Sequence, residues 1–327
     1  MIRTRRTALL ASLALVLVGV APAVAADHRG VSVVRASSPL CGVTSKAPSY
    51  RHVVVIMEEN HSYGSIVHAA AAPFLNHVIA ECGLATSYHS VTHPSLPNYL
   101  ALTSGASLDS LAPYVGDCSP TLCARLVHSN NVFNELARQG WRSYEESMPR
   151  PCDVNDSGNY ASRHNPALYF ADVRRSCPTR DLALGSIRDS PLLHALRSER
   201  TAAALSIVTP NLCDDMHSCS VGTGDAWLRT WLTSITHSTV YRHRDTAVFI
   251  VWDEGEPEQP AERCARNVTD QSCHVALLAV APSVRRGEKV HTSFSHYSLL
   301  KTIEILLKLP QLGGARTAVS MVKGFNL

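Results

Sequence analysis

Two short apolar runs that end in acidic residues constrain this chain more than any other feature of its sequence. The first spans residues 52–60 (HVVVIMEEN), and the second spans residues 247–254 (AVFIVWDE). Such β-branched runs are typical of strands buried on both faces of a parallel sheet. In open α/β sheets, ligands bind beyond the carboxyl ends of the strands. The two runs therefore predict a sheet edge at which carboxylates from distant parts of the chain meet.

The rest of the chain alternates predicted strands with predicted helices. Further strands are predicted over 84–91, 141–144, 202–208 and 274–280, and helices over 65–82, 131–139, 224–238 and 299–307. Another helix follows Ser95, with Pro97 in its first turn and Gly105 as its C-terminal cap. This alternation predicts the α/β class, as a three-layer α/β/α sandwich around a central, mostly parallel sheet.

The N-terminal residues predict export. Arginines at positions 3, 5 and 6 precede an apolar stretch over 9–20, and the small residues 23–25 (AVA) fit signal-peptide cleavage near Ala25. We therefore interpret 1–25 as a signal peptide, 26–50 as a poorly ordered N-terminal leader and 51–327 as the single functional domain. The apolar stretch is too short to span a bilayer, so we expect a secreted protein, extracellular or periplasmic, without integral membrane contact.

Charge gives no argument for a polyanionic partner. The formal net charge is +3 for the whole chain, and removal of the three arginines in 1–25 lowers it to zero. Binding to nucleic acid depends on a positive charge excess, which the mature chain lacks. No nucleic-acid partner is therefore indicated.

Ten cysteines remain after cleavage. An even number in an exported chain favours disulfides over metal thiolates, and no Cys-x2-Cys pair is present. Pairing of neighbours in the sequence gives the expected bridges Cys41–Cys82, Cys118–Cys123, Cys152–Cys177, Cys213–Cys219 and Cys264–Cys273.

Ser95 lies between a predicted strand and a predicted helix, in the segment 93–99 (HPSLPNY). A hydroxyl at a helix N-terminus lies beside free N–H groups and the positive end of the helix dipole, which favour phosphate and anionic transition states. The alternative is a helix-capping serine without chemistry. A Ser-His-Asp hydrolase also stays open, although the Gly-x-Ser-x-Gly pattern is missing.

The acidic ends of the two strands are candidate metal ligands. Glu59, Asn60, Asp253 and Glu254 offer hard oxygen atoms of the kind that Ca²⁺, Mg²⁺ and Mn²⁺ prefer. Each pair could equally be a solvated strand end, so the metal interpretation depends on the two pairs meeting in space.

Three histidines are further candidates. Segment 211–217 (NLCDDMH) places Asp215 two residues before His217, as in a metal site or a phosphate clamp, or in a simple Asx turn. His296 precedes a predicted helix and could be only a cap-region residue. His164 lies in a loop, where it could contact an anion or simply be exposed.

Six segments, taken in their order along the chain, resemble the phosphoesterase family of bacterial acid phosphatases and phospholipases C, in the alkaline phosphatase superfamily. They are 55–63, 92–99, 164–166, 211–217, 252–255 and 295–298. The resemblance implies Ser95 as a nucleophile that forms a phosphoserine. It implies a divalent ion (Ca, Mg, Mn or Zn) at Glu59, Asn60, Ser95, Asp253 and Glu254, with Asp215 added to this set. His164, His217 and His296 would bind phosphate or assist the leaving group.

The expected function is that of a secreted, metal-dependent phosphoric-ester hydrolase of the acid phosphatase type, acting on phosphomonoesters. The chain is near the short end of the family in length, which favours a small substrate. One alternative is a phospholipase C or other phosphodiesterase, which as a phospholipase would touch a lipid surface transiently. An alternative of another class is a non-catalytic secreted binding protein on the same scaffold.

Overall fold

The computed structural model describes residues 39–123, 130–256, 264 and 269–327. The predicted signal peptide and residues 26–38 lie outside this range. The described residues form one compact unit.

A large, mostly parallel sheet crosses this unit. Its nine strands in the described residues are β1 His52–Glu58, β2 Gly83–His89, β3 Trp141–Glu145, β4 Asp181–Ala183, β5 Leu205–Thr209, β6 Thr246–Trp252, β7 His274–Val280, β8 Glu288–Val290 and β9 Phe294–Ser295. Their order is β4-β3-β5-β1-β6-β7-β2-β8, and β9 also pairs with β2. Only β7 runs antiparallel to both of its neighbours within the described sheet. The predicted α/β class and mostly parallel sheet are therefore confirmed.

Helices cover the sheet. They are α1 Tyr63–Ile66, α2 Pro73–Glu81, α3 Ser95–Ser104, α4 Leu108–Leu111, α5 Pro120–Cys123, α6 Val132–Glu135, α7 Pro191–Ala195, α8 Val221–Thr236, α9 Thr239–Arg242, α10 His296–Leu307 and α11 Val322–Phe325. Helix α3 packs against α10, and α2 packs against α8. All seven residues of β1 and of β6 are buried, which requires cover on both faces of the central strands.

Several predicted helices have different ends in the structure. The helix predicted over 65–82 is two helices, because Pro73 starts α2 at a position where a helix tolerates proline. The helix predicted over 131–139 is a single turn capped by Asn131. Helix α10 begins three residues before the predicted Leu299, because Ser295 forms a capping box with Ser298.

The part of the predicted leader that the structure describes is packed rather than loose. Tyr50 is buried and hydrogen-bonds Ser283 at 2.7 Å. The carbonyl of Leu40 accepts a hydrogen bond from the Tyr241 hydroxyl at 2.9 Å. These contacts attach residues 39–50 to the body of the protein.

All five predicted disulfides are confirmed, and every cysteine is paired. Five bridges indicate a protein that matures in an oxidising, extracytoplasmic compartment. In the described part of the chain, no helix combines the length and the apolar composition needed to traverse a bilayer.

Candidate active site

The ends of β1 and β6 lie side by side. These strands are parallel, with Glu58 opposite Trp252, so that Glu59 and Asp253 leave the sheet at the same level. The Asp253 N–H donates to the Glu58 carbonyl at 3.0 Å. The Asn60 N–H donates to Asp253 Oδ1 at 3.1 Å. The register of two buried strands therefore brings together the acidic residues that the sequence places about two hundred positions apart.

Ser95 faces these residues from the first position of α3. Its Oγ lies 2.9 Å from Glu59 Oε2, 3.3 Å from Glu254 Oε1 and 3.4 Å from Asn60 Oδ1. The side chains involved are all buried. One hydroxyl thus points at oxygen atoms from both strand ends, and it lies at the positive end of a ten-residue helix.

His164 lies on the other side of Glu59. Its Nε2 is 3.5 Å from Glu59 Oε1, and its Nδ1 is 3.7 Å from Asp215 Oδ2. Burial lowers the pKa of His164 well below its usual value, with Arg163 acting in the same direction, so the ring is neutral. Tyr99 stacks on this ring, with centroids 5.3 Å apart, and donates its hydroxyl proton to Glu59 Oε1.

Asp215 and His217 lie in the loop after β5. The Glu59 N–H donates to the Asp215 carbonyl at 2.9 Å, which fastens this loop to the end of β1. Asp215 Oδ1 accepts the His217 N–H at 2.8 Å. The His217 ring is half-buried, and its centroid lies 6.1 Å from that of His164. The structure therefore brings Asp215 close to the Glu59 carboxylate and His217 close to His164.

His296 is bonded within the protein through both ring nitrogens. Nε2 donates to the Asp253 carbonyl at 2.6 Å, because a carbonyl oxygen only accepts, and Nδ1 lies 2.9 Å from the Tyr88 hydroxyl. Burial lowers the pKa of His296 to about 4, so the ring is neutral above that pH. The role of His296 at the phosphate stays a prediction. Its two hydrogen bonds place the ring against the Asp253 backbone, where it helps to orient that residue.

His93, to which the sequence assigned no role, contacts the site. Its Nδ1 lies 2.6 Å from Glu254 Oε2, and its Nε2 lies 3.2 Å from Ser272 Oγ. Both His93 and Glu254 are almost completely buried. The imidazole therefore fixes the orientation of the Glu254 carboxylate towards Ser95.

The electrostatics of this cluster favour a bound cation. Burial raises the pKa of Asp253 to about 7, with the Ser95 hydroxyl acting in the opposite direction. Burial also raises the pKa of Asp215 to about 8. The pKa of Glu59 is raised well above its usual value by burial and then by Asp253 and Asp215. Charged carboxylates at this depth need a positive partner, since burial of unpaired charge is costly.

The donor atoms fit a divalent metal ion. In the described part of the chain, Asp253 Oδ2 and Asp215 Oδ2 are buried without a hydrogen-bond partner. Together with Glu59, Asn60 and Glu254 they form an all-oxygen set, which hard cations such as Mg²⁺, Ca²⁺ and Mn²⁺ prefer.

Three different groups of described residues have ligand atoms within 4.8 Å of one another, but their atoms are already engaged within the protein. Where cysteines contribute to such a group, their sulfurs are held in disulfides. A group of His52, Glu199 and Asp245 lies at the amino end of β1, opposite the Ser95 edge. There the Arg51 guanidinium contacts both carboxylates, which supplies the positive charge.

An arginine–aspartate pair lies next to Ser95. Asp117 Oδ1 accepts the Leu96 N–H at 2.9 Å, and its Oδ2 lies 3.7 Å from Arg163 Nε. Arg163 Nη2 lies 3.4 Å from His217 Nε2. Both side chains of this pair reach solvent, with exposed fractions of 21% for Arg163 and 26% for Asp117.

Sequence reasoning missed four of these residues. Tyr99 could have been found, because it lies one helical turn after Ser95 and so on the same face of α3. His93 lies in a quoted motif, but nothing in the sequence pairs it with Glu254. Asp117 and Arg163 meet only through the fold, and no spacing rule connects them.

Comparison with known proteins identifies the family of this chain and several relatives. A model of the phosphoesterase family matches residues 65–310. A phosphatidylinositol-3-phosphatase from Mycobacterium tuberculosis is 29% identical over 285 residues, covering 86% of this chain and 85% of that protein. A probable acid phosphatase from Kluyveromyces lactis is 25% identical over 276 residues, or 81% of this chain, but this chain spans only 60% of its length.

The fold agrees with a solved structure as well. A protein in the alkaline phosphatase superfamily from Vibrio parahaemolyticus superposes with a TM-score of 0.55 at 12% identity, covering 88% of this chain and 76% of that one. At this identity the likeness concerns the fold alone.

Proposed function

The chain belongs to the phosphoesterase family, which makes it a phosphoric-ester hydrolase, and we propose that it is a secreted, metal-dependent phosphomonoesterase of the acid phosphatase type. The observation that carries this proposal is the position of Ser95 Oγ, within 3.4 Å of oxygens from Glu59, Asn60 and Glu254. A hydroxyl surrounded by buried acidic oxygens is unsuited to plain helix capping. It is suited to nucleophilic attack beside a bound cation.

Glu59, Asn60, Asp253 and Glu254 would hold the ion, with Asp215 beside them. A divalent ion there would neutralise charge on the phosphoryl group and lower the pKa of the serine hydroxyl. The chain itself supplies orientation: His93 fixes Glu254, and the ends of β1 and β6 fix the rest.

Ser95 Oγ gives up its proton and attacks the phosphorus atom, and the bond from phosphorus to the ester oxygen breaks as that oxygen takes up a proton. Water then hydrolyses the phosphoserine, which releases inorganic phosphate and restores the serine hydroxyl. Helix α3 directs its positive end at the attacking oxygen and at the charge on the phosphoryl group. His217, which is half-buried beside the deeper His164, is placed to hydrogen-bond the phosphate or the departing oxygen.

Several observations support a monoester substrate and an exported protein. The relatives described above are named as phosphatases. Arg163 brings a permanent positive charge to the solvent side of the site, which suits the second negative charge of a monoester. Five disulfides and the predicted signal peptide agree with secretion.

A serine variant tests the proposal. We expect Ser95→Ala to lose at least about a thousandfold in kcat on p-nitrophenyl phosphate, since removal of a nucleophile abolishes the covalent route. Acid-quenched wild type should carry phosphate on the peptide containing Ser95, detected by mass spectrometry. Ser104→Ala is the matched control, because Ser104 lies at the far end of the same helix, where its hydroxyl donates to the Leu100 carbonyl at 2.7 Å and accepts the Ala106 N–H at 3.2 Å.

The outcomes separate the alternatives. Retained activity in Ser95→Ala would remove the assigned nucleophile. Faster turnover of bis-p-nitrophenyl phosphate than of the monoester by wild type would favour the phosphodiesterase. A wild type that binds phosphate but hydrolyses neither compound would favour the binding protein.

A further inference from the structure

Asp117 occupies two groups that a phosphate ester would use. Its Oδ1 accepts the N–H of Leu96, the residue that follows Ser95. Its Oδ2 lies 3.7 Å from Arg163 Nε. A negatively charged group is therefore already present at the helix N-terminus beside the nucleophile.

Arg163 is placed to serve phosphate. It precedes His164, whose ring lies 3.5 Å from Glu59 Oε1, and its Nη2 approaches His217 Nε2 at 3.4 Å. A guanidinium group donates in a planar fork that matches two phosphate oxygens. Because its side chain is partly exposed, it can change partners without unpacking the core.

The local architecture also explains why an aspartate is present at all. The residue before α3 is Pro94, which makes no side-chain capping bond. Asp117 therefore supplies from another segment the acceptor that the helix N-terminus needs. An ionised carboxylate at this position, however, repels a phosphate dianion, so the cap and the substrate compete for the same place.

On the basis of the proposed function, we propose that Asp117 is a built-in substitute for the substrate phosphate and sets its affinity. A phosphomonoester takes over the Leu96 N–H and the Arg163 guanidinium from Asp117 when it binds. Asp117 is then a positioning residue that holds the donors in place, and Arg163 is a substrate-binding residue.

The variant Asp117→Asn tests this exchange. Asparagine keeps an oxygen for the Leu96 N–H but loses the charge. We expect the Kd for inorganic phosphate, measured by titration calorimetry on the mature chain, to fall about three- to tenfold, together with the KM for p-nitrophenyl phosphate. Arg163→Gln should raise both by about tenfold. In the double variant the benefit of Asp117→Asn should largely disappear, because no guanidinium remains to be released.

Glu288→Gln is the control. The Glu288 carboxylate is about as exposed as that of Asp117 and lies 3.5 Å from Arg285, but it is beside Gly83 at the start of β2, away from Ser95. Glu288→Gln should change neither constant. A phosphate Kd that is unchanged or higher in Asp117→Asn would show a purely structural cap and overturn the proposal. If Asp117→Asn does not fold, Arg163→Gln is the deciding variant, because an unchanged phosphate Kd in Arg163→Gln would also overturn the proposal. Failure of the proposed function would be distinct: wild type would not hydrolyse the ester, while the phosphate titration would still be readable.

Discussion

At the scale of single residues, the main feature is the set of buried side chains that hold the Glu59 carboxylate. This carboxylate meets Ser95 on one oxygen and Tyr99 on the other. Neither Ser95 nor Tyr99 carries a charge, so the arrangement orients Glu59 without neutralising it. Orientation of this kind is what a metal ligand needs, because neighbouring hydrogen bonds fix the ligand atoms.

Tyr99→Phe tests this support. The phenyl ring keeps the stacking on His164 but loses the hydrogen bond to Glu59, which leaves the carboxylate less well oriented. We expect kcat/KM to fall about tenfold, the size of one lost hydrogen bond, with a thermal midpoint that moves little. Tyr241→Phe is the matched control, because its hydroxyl bonds the Leu40 carbonyl in the N-terminal segment. Equal kcat/KM in Tyr99→Phe and wild type would contradict the assigned support.

At the scale of elements, the ends of strands and the starts of helices place the chemistry. Strands β1 and β6 deliver the acidic residues, and α3 delivers Ser95, the proposed nucleophile. The loop that carries His164 is held in place by Asn165. The Asn165 Nδ2 lies 3.0 Å from both carboxylate oxygens of Asp181, at the start of β4.

The raised pKa of Asp181 predicts how the free energy of unfolding depends on pH. Burial raises its pKa from 3.8 to about 7, so the folded protein keeps a proton that the unfolded chain releases above about pH 4. The free energy of unfolding therefore falls as the pH rises from about 4 to about 7. Asparagine cannot ionise, and we expect Asp181→Asn to be more stable than wild type by on the order of 1 to 2 kcal/mol at pH 7.5 and equal to it near pH 4.

Urea unfolding at several pH values measures this difference. Glu145, another buried acid whose pKa is raised by burial and then by Asp181, keeps part of the pH dependence in the variant. Wild-type and Asp181→Asn curves that stay parallel from pH 4 to 7.5 would contradict the account.

At the scale of the whole molecule, the disulfides differ in what they stabilise. Cys41–Cys82 joins the N-terminal segment to the residue that follows α2 across 41 positions, whereas Cys118–Cys123 spans 5. Because a longer closed loop restricts the unfolded chain more, we expect the double serine variant of the first bridge to lose about 4 kcal/mol and that of the second about 2 kcal/mol. Urea midpoints under non-reducing conditions measure both, and a reversed order would exclude loop length as the main factor.

The fold followed from the sequence where local pattern decides structure. The ends of β1 at Glu58 and of β6 at Trp252 were predictable because the apolar runs stop there, and the helix at Ser95 because Pro97 and Gly105 mark its two ends. Helix boundaries were less predictable. The run over 131–139 has helical periodicity, yet only one turn forms, because tertiary packing overrides propensity.

The site was predictable only in part, for a related reason. Ser95, Glu59 and Asp253 stand out as residue types at the ends of elements. Asp117 and the Glu254 partner His93 do not, because their contacts depend on how loops from separate elements meet. Sequence spacing carries no information about such contacts.

The most direct test of the account is a crystal structure with Mn²⁺ and orthovanadate, with anomalous difference maps that locate both metals. We expect manganese bound by side-chain oxygens of Glu59, Asn60, Asp253 and Glu254, and vanadium bonded to Ser95 Oγ. Manganese at any other group of residues, or vanadium attached to an atom other than Ser95 Oγ, would contradict it.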